Sequence, residues 1–145
     1  MRDRSPSLAC AIAGLMLVGT WLTVAACSST PRSSAPAQLA DRFALEEGER
    51  LYQKHCAPCH GPQARGDGRF FASDLSPAPT DLASAEFARS RSDADLVRTI
   101  SQGSAAVGKS NLCPAWGQTF SPTEIEYIVA FIRSLQRQVT AESAP

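Results

Sequence analysis

Methionine is nearly absent from this chain: there are two, Met1 and Met16, both close to its start. Charge of either sign is not in excess, since 14 Lys+Arg face 14 Asp+Glu over 145 residues. That balance argues against a nucleic-acid binder, which normally carries a basic surplus, and it leaves electrostatic steering of partners weak. Histidine is limited to His55 and His60. The five cysteines do not make an even disulfide framework. No convincing strand alternation occurs, and no general acid/base pair, Ser/His/Asp set or phosphate-cradling loop is recognisable. The length allows one domain and little room for a second. At 43% hydrophobic the chain is nonetheless not wholly disordered. Ten Pro and nine Gly point to much irregular backbone.

Arg2 and Arg4 precede an apolar run from Leu8 to Ala26 that ends Val24-Ala25-Ala26-Cys27. A charged start, an apolar middle and small residues at the end outline a secretory signal peptide. The Cys after the small residues resembles a bacterial lipoprotein signal in particular. That resemblance implies a signal peptide over residues 1–26, acylation of Cys27 as the first mature residue, and a periplasm-facing domain anchored to a membrane by lipid. Ser28, in place of Asp, resembles the pattern sent to the outer membrane. The competing reading is an uncleaved transmembrane anchor, because the run is nearly long enough to span; Gly14, Gly19 and Thr20 weigh against it. Both routes export and tether the domain, so its thiols lie in an oxidising compartment. Cys10 leaves with the signal. Cleavage leaves 119 residues with 12 basic and 13 acidic side chains, a formal charge of −1 before any cofactor.

Residues 27–40, rich in Ser, Pro and Ala, are expected to form a flexible tether. The folded domain is expected over residues 41–137, with a flexible tail at 138–145. A first helix is expected from about Leu45 to His55, with Glu46, Glu47 and Glu49 near its positive end. A second starts at Ser92, spaced from Asp95 as a capping box, and stops near Gly103. The last is capped by Ser121 with Pro122 at its first position and Glu124 closing the box; Ile125, Ile128, Val129, Ile132 and Leu135 follow the helical period. Gly61–Ser84 and Ser104–Phe120 lack periodicity. Loops of that length in a compact domain usually serve a function, and three short helices make a thin core. A large apolar cofactor filling the middle accounts for both.

The cofactor is written in Cys56-Ala57-Pro58-Cys59-His60, a C-x-x-C-H motif for attaching c-type haem. Two thiols at this spacing match the porphyrin vinyl groups as thioethers, and the adjacent imidazole supplies the proximal iron ligand. A redox disulfide would normally come with a βαβ pattern, absent here. Structural zinc needs four ligands; only Cys56, Cys59, Cys113, His55 and His60 are available, with no second paired motif.

The domain resembles the class I (mitochondrial-like) c-type cytochromes over nearly its whole length. Gly48 and Tyr52 lie one turn apart before the motif. Gly61-Pro62 and Gly66-Asp67-Gly68 continue the haem-attachment segment, and Pro77-Ala78-Pro79-Thr80-Asp81-Leu82 resembles the family's proline-rich loop. The resemblance implies an all-α, small cytochrome c fold: three or more helices and long loops wrapped around one covalent haem c. It also implies a backbone carbonyl from the proline segment accepting the His60 N–H, from Pro79 or, second, Pro77.

The family usually binds the far side of iron with a Met in a Met-Pro-x-aromatic setting before the last helix. This chain has Asn111-Leu112-Cys113-Pro114-Ala115-Trp116-Gly117 there. Pro114 and Trp116 keep the flanking pattern, which puts Trp116 among the haem-binding residues, and Cys113 stands at the Met position. No Met follows Cys27, so His/Met ligation is excluded in a cleaved chain, and His55 belongs to the proximal side. The expected axial pair is His60 and Cys113. A five-coordinate iron with Cys113 nearby, or capture by Lys109, are the alternatives. Thiolate favours Fe(III) and lowers the potential; its loss on reduction would make the site switchable.

These features imply a membrane-tethered single-haem carrier that passes one electron between redox proteins or to a respiratory complex, without enzymatic chemistry of its own. The rival is a His/Cys haem protein of sulfur-compound (thiosulfate-like) oxidation, or a redox or gas sensor. Tyr127 and Phe131 are expected to pack, and Arg65, Arg69, Arg89 and Arg91 to be solvated surface charges, with pairing to haem propionates or a partner as the alternative.

Overall fold

The computed structural model describes residues 35–70 and 73–142. Cys27 and the signal segment lie outside them. Helix α1 spans Ala35–His55, ten residues longer at its start than the periodicity suggests. Its added turns, Ala-Pro-Ala-Gln-Leu-Ala, fall in the stretch expected as tether. They are good helix formers, and Pro36 is tolerated in a first turn, where its missing N–H has no partner to lose. Arg50 reinforces the exposed face by donating to Glu47 at 2.9 Å, while Gly48, Leu51 and Tyr52 are buried.

A single-turn helix α2 follows, Ala57–His60, with Pro58 in its first turn. Helix α3, Ala85–Ser90, has no counterpart in the sequence reading; Ser84 caps it by accepting from Phe87 N at 3.2 Å. Helix α4, Asp93–Gln102, has the expected box, with Ser92 and Asp95 bonded reciprocally, and stops at Gly103, whose φ of 82° suits glycine. A 3-10 turn runs over Ser104–Val107. Helix α5, Pro122–Glu142, opens with the Ser121/Glu124 box and continues five residues past the expected end. No strand occurs among the described residues, in keeping with the expected all-α fold.

The core is built where α1 meets α5. Ile125, Ile128, Val129, Phe131, Ile132 and Leu135 of α5 pack with Leu51 and Tyr52 of α1, Leu96 of α4, and Ala64, Ala83 and Phe120 from the loops. The two helices approach closely at Gly48: a Cβ there would stand 3.2 Å from Phe131 Cβ and far too near the Tyr127 carbonyl. Tyr127 and Phe131 therefore pack, as expected. The Phe131 ring lies 5.3 Å from Tyr52 and the Tyr127 ring 5.9 Å, edge-on, from Phe43.

A polar network ties α5 to the α3–α4 corner. Arg133 donates to Asp93 at 2.7 Å, to the Arg91 carbonyl at 2.6 Å, to the Ala88 carbonyl at 3.3 Å and to Gln136 at 2.8 Å. Gln136, although buried, is satisfied by donating to the Leu82 carbonyl at 2.7 Å. Satisfied in this way, a buried amide fixes one arrangement instead of costing stability.

Candidate haem c site

The motif sits at the joint of α1 and α2. Cys56 N donates to Tyr52 O at 2.8 Å and His60 N to Cys56 O at 2.9 Å, so the chain turns without losing its hydrogen bonding. The four α2 carbonyls are then taken in succession by the loop that follows. Gly61 N reaches Ala57 O at 2.9 Å, Phe70 N reaches Pro58 O at 3.3 Å, Gly68 N reaches Cys59 O at 3.0 Å and Gly66 N reaches His60 O at 2.8 Å. Glycine is required where this loop folds back. A Cβ on Gly68 would collide with the Pro58 and Cys59 carbonyls, and one on Gly66, at φ 80°, with the Pro79 carbonyl. Ala64 is buried at φ 61°, and its carbonyl accepts from Leu82 N at 2.8 Å and Ala83 N at 3.2 Å. Motif loop and proline segment thus form one unit. The fully buried Tyr52 adds a bond from its hydroxyl to Gly61 O at 2.9 Å.

His60 Nδ1 lies 3.0 Å from the carbonyl of Thr80. This corrects the expected acceptor: neither Pro79 nor Pro77 has that role. The Pro79 carbonyl faces Gly66, and it is the next carbonyl that turns toward the imidazole. With Nδ1–H donating to Thr80, Nε2 keeps its lone pair and is the nitrogen able to bind a metal. Burial holds the His60 pKa below its ordinary value, with the Thr80 bond acting in the opposite direction; the neutral, metal-binding form is favoured.

Cys56, Cys59 and Cys113 are all free and half-buried. Burial, then the charges of Cys113 and Cys59, push the Cys56 thiol up to about 12. Burial, then Cys59, likewise raises Cys113. The distal candidate therefore lies within electrostatic reach of both motif thiols. Its loop is pinned to α4 at two points, Trp116 N to Ile100 O at 2.9 Å and Gly117 N to Ser101 O at 3.0 Å. Ser104 holds Cys113 itself, accepting from its N–H at 3.1 Å through Oγ and donating its own N–H to the Cys113 carbonyl at 3.1 Å.

Trp116 packs against the core, stacked on Phe120 at 5.3 Å. His55 meets both rings edge-on, at 5.2 Å from Trp116 and 5.1 Å from Phe120; it serves an aromatic group rather than a ligand set. Lys109 is exposed. No cluster of three or more His, Cys, Asp or Glu side chains suited to a bare metal ion exists among the described residues. Two paired thiols and an imidazole with Nδ1 tied down suit a covalently attached haem, and the Cys113 thiol lies near them.

A comparison with protein families agrees. The family described as cytochrome c oxidase, cbb3-type, subunit III matches residues 43–132, from within α1 to within α5. The chain belongs to this family. The cytochrome c domain of cbb3-type subunits carries covalently bound haem c, which Cys56, Cys59 and His60 fit. Among curated relatives, the cbb3-type cytochrome c oxidase subunit CcoP of Azospirillum brasilense is 28% identical over 95 residues, 66% of this chain and 30% of the relative. Subunit FixP of Azorhizobium caulinodans is 27% identical over 104 residues, 72% of this chain and 31% of that protein. FixP of Bradyrhizobium diazoefficiens is 30% identical over 89 residues, 61% and 27%. The chain thus matches about a third of the length of these cbb3-type subunits.

Thr80 and Ser104 were not among the residues expected at the site. Thr80 adjoins Pro79, so the proline segment carries the acceptor one residue beyond the expected carbonyl. Nothing near Ser104 in sequence marks it.

Proposed function

We propose that the chain is a membrane-tethered, periplasm-facing electron carrier with one haem c held between His60 and Cys113, serving a respiratory oxidase. When bound, haem c supplies a one-electron Fe(II)/Fe(III) couple. Cys56 and Cys59 would hold the porphyrin as thioethers, His60 Nε2 would face one side of the iron, and Cys113 Sγ the other. Thr80 orients the imidazole and raises its donor strength. Burial disfavours an anionic Cys113, and a cation opposite it reverses that preference. An anionic sulfur in turn favours Fe(III) and places the potential below that of a His/Met site.

The observation that carries this reading is Cys113 itself, half-buried, within electrostatic reach of the motif thiols, in a chain with no Met after Cys27. The oxidase as partner is supported by relatives named as cbb3-type cytochrome c oxidase subunits. The tether is supported by the apolar run ending at Cys27, and Ser28 favours the outer membrane. The role we assign is carriage of one electron, which relatives named as oxidase subunits support.

EPR of the ferric, haem-loaded full chain tests the ligation. A low-spin thiolate-type signal that Cys113→Met abolishes is expected, with the potential rising by roughly a few tenths of a volt, within the ~0.8 V that axial ligands span. A high-spin signal, or one the substitution leaves unchanged, refutes His60/Cys113. Cys27→Ser should release the protein from the membrane fraction; retention there would refute the lipid anchor.

A further inference from the structure

The 3-10 turn after α4 holds the Cys113 segment more closely than a loop closure requires. Ser104 is buried, at 8% exposure, and its hydroxyl is fully used: Oγ–H donates to the Ser110 carbonyl and Oγ accepts the Cys113 N–H at 3.1 Å. The Ser104 main chain adds two more bonds, N–H to the Cys113 carbonyl at 3.1 Å and carbonyl from Lys109 N at 3.0 Å. Both backbone polar groups of Cys113 are therefore held by one residue nine positions earlier. Gly103 lies under the same segment. At φ 82°, a Cβ there would stand 3.0 Å from Cys113 O, 3.1 Å from Ala115 N and 3.3 Å from Pro114 C, so the loop rests on the space a side chain would fill. By contrast, among the described residues the Cys113 thiol makes one long hydrogen bond, 3.7 Å to the Pro114 carbonyl. The backbone of residue 113 is fixed while its sulfur remains available.

We infer that Ser104 is a positioning residue for the distal iron ligand: by clamping the Cys113 backbone it keeps Sγ facing the haem and keeps external ligands off the iron. This rests on the His60/Cys113 reading and adds its cause. A thiol on a mobile loop would leave the iron readily, because each departure would regain the loop entropy that ligation had cost. A clamped loop has little entropy to regain, and carrying its thiol away from the iron would break part-buried backbone hydrogen bonds, whose unsatisfied groups are costly. The clamp thus decides between a closed electron carrier and a haem open to small molecules.

The test uses the ferric, haem-loaded full chain titrated with imidazole and followed by its Soret band and EPR. Ser104→Ala removes the acceptor for Cys113 N–H and the donor to Ser110, and is expected to bind imidazole about five- to tenfold more tightly, the factor set by one net hydrogen bond. Ser104→Thr keeps the hydroxyl and is expected to restore wild-type affinity. Equal affinity in wild type and Ser104→Ala overturns the inference, as does Ser104→Thr behaving like the alanine variant, since packing rather than the hydroxyl would then be responsible. Cys113→Ala separates the two levels: if it leaves the wild-type spectrum and imidazole affinity unchanged, the ligation reading fails and the inference falls with it. A measurement free of variants stands beside these. Hydrogen exchange at the Cys113 amide should be slow in the native protein, and exchange at the rate of an exposed loop amide would overturn the clamp even if Ser104→Ala failed to fold.

Discussion

Gly48→Ala should destabilise the domain even though it improves the helix. In the interior of an exposed helix, replacing Gly by Ala gains about 1 kcal/mol. Gly48, however, is buried where α1 meets α5. An added Cβ would stand 2.6 Å from the Tyr127 carbonyl carbon, closer still to its oxygen, and 3.2 Å from Phe131 Cβ, where ordinary contact begins at 3.4 Å. The obstacle is backbone and cannot rotate away, so the helices must part by roughly 1 Å. A radial gap of that size forfeits up to about half of each dispersion contact it opens. The contacts at stake include Tyr52 on Phe131 and Phe43 on Tyr127. Overpacking of this kind costs about 2–4 kcal/mol. Subtracting the helix gain leaves a net loss of about 1–3 kcal/mol, or a Tm lower by roughly 5–20 °C for a domain of this size. Guanidinium and thermal unfolding of the haem-loaded protein, followed by far-UV circular dichroism, measure it. A Gly48→Ala protein as stable as wild type, or more stable by the propensity gain, would refute the close approach of the two helices.

Arg133→Ala should cost about 2–3 kcal/mol, because it strips partners from two carbonyls and from the buried Gln136 at once. Arg133→Lys should recover little of this, since an ammonium cannot span the same fork of acceptors; full recovery in denaturant unfolding would contradict the network. Acid should weaken the two capping boxes. Bonds from Ser92 and Ser121 hold the Asp95 and Glu124 pKa values below their ordinary 3.8 and 4.5. A carboxyl lowered on folding contributes stability that is complete above its unfolded value and is lost as pH falls through the folded one. Tm should therefore hold from neutrality down to about pH 5 and fall below about pH 4. The paired variant Asp95→Asn, Glu124→Gln should flatten that acid limb, and an equally steep limb in the variant would remove these two groups as its cause.

Chemistry that depends on neighbours along the chain was legible before any fold was known. The haem motif needs two thiols and an imidazole within five residues, and that spacing is local. The boxes at Ser92/Asp95 and Ser121/Glu124 are likewise four-residue patterns, and both helices start where they predict. The want of Met after Cys27 is a matter of composition, and it points to Cys113 without any geometry. The first helix was underestimated because Ala35–Ala40 carries no apolar periodicity, only good propensity. Helix α3 is not legible in the sequence because six residues are too short to show a period.

What the tertiary structure alone decided is the set of approaches between distant segments. Whether Pro79 or Thr80 accepts from His60 depends on how the proline segment is turned by Gly66, a matter of one peptide plane. That Ser104 grips Cys113, that Gly48 admits the Tyr127 carbonyl, and that Arg133 reaches across to the α3–α4 corner follow from packing nine, 79 and about 40 residues apart. Such contacts leave no spacing in the sequence, because the partner atoms are mostly backbone, which every residue carries alike. The residue types determined which cofactor this protein can hold; the fold decided how firmly the His60 ring and the Cys113 backbone are held.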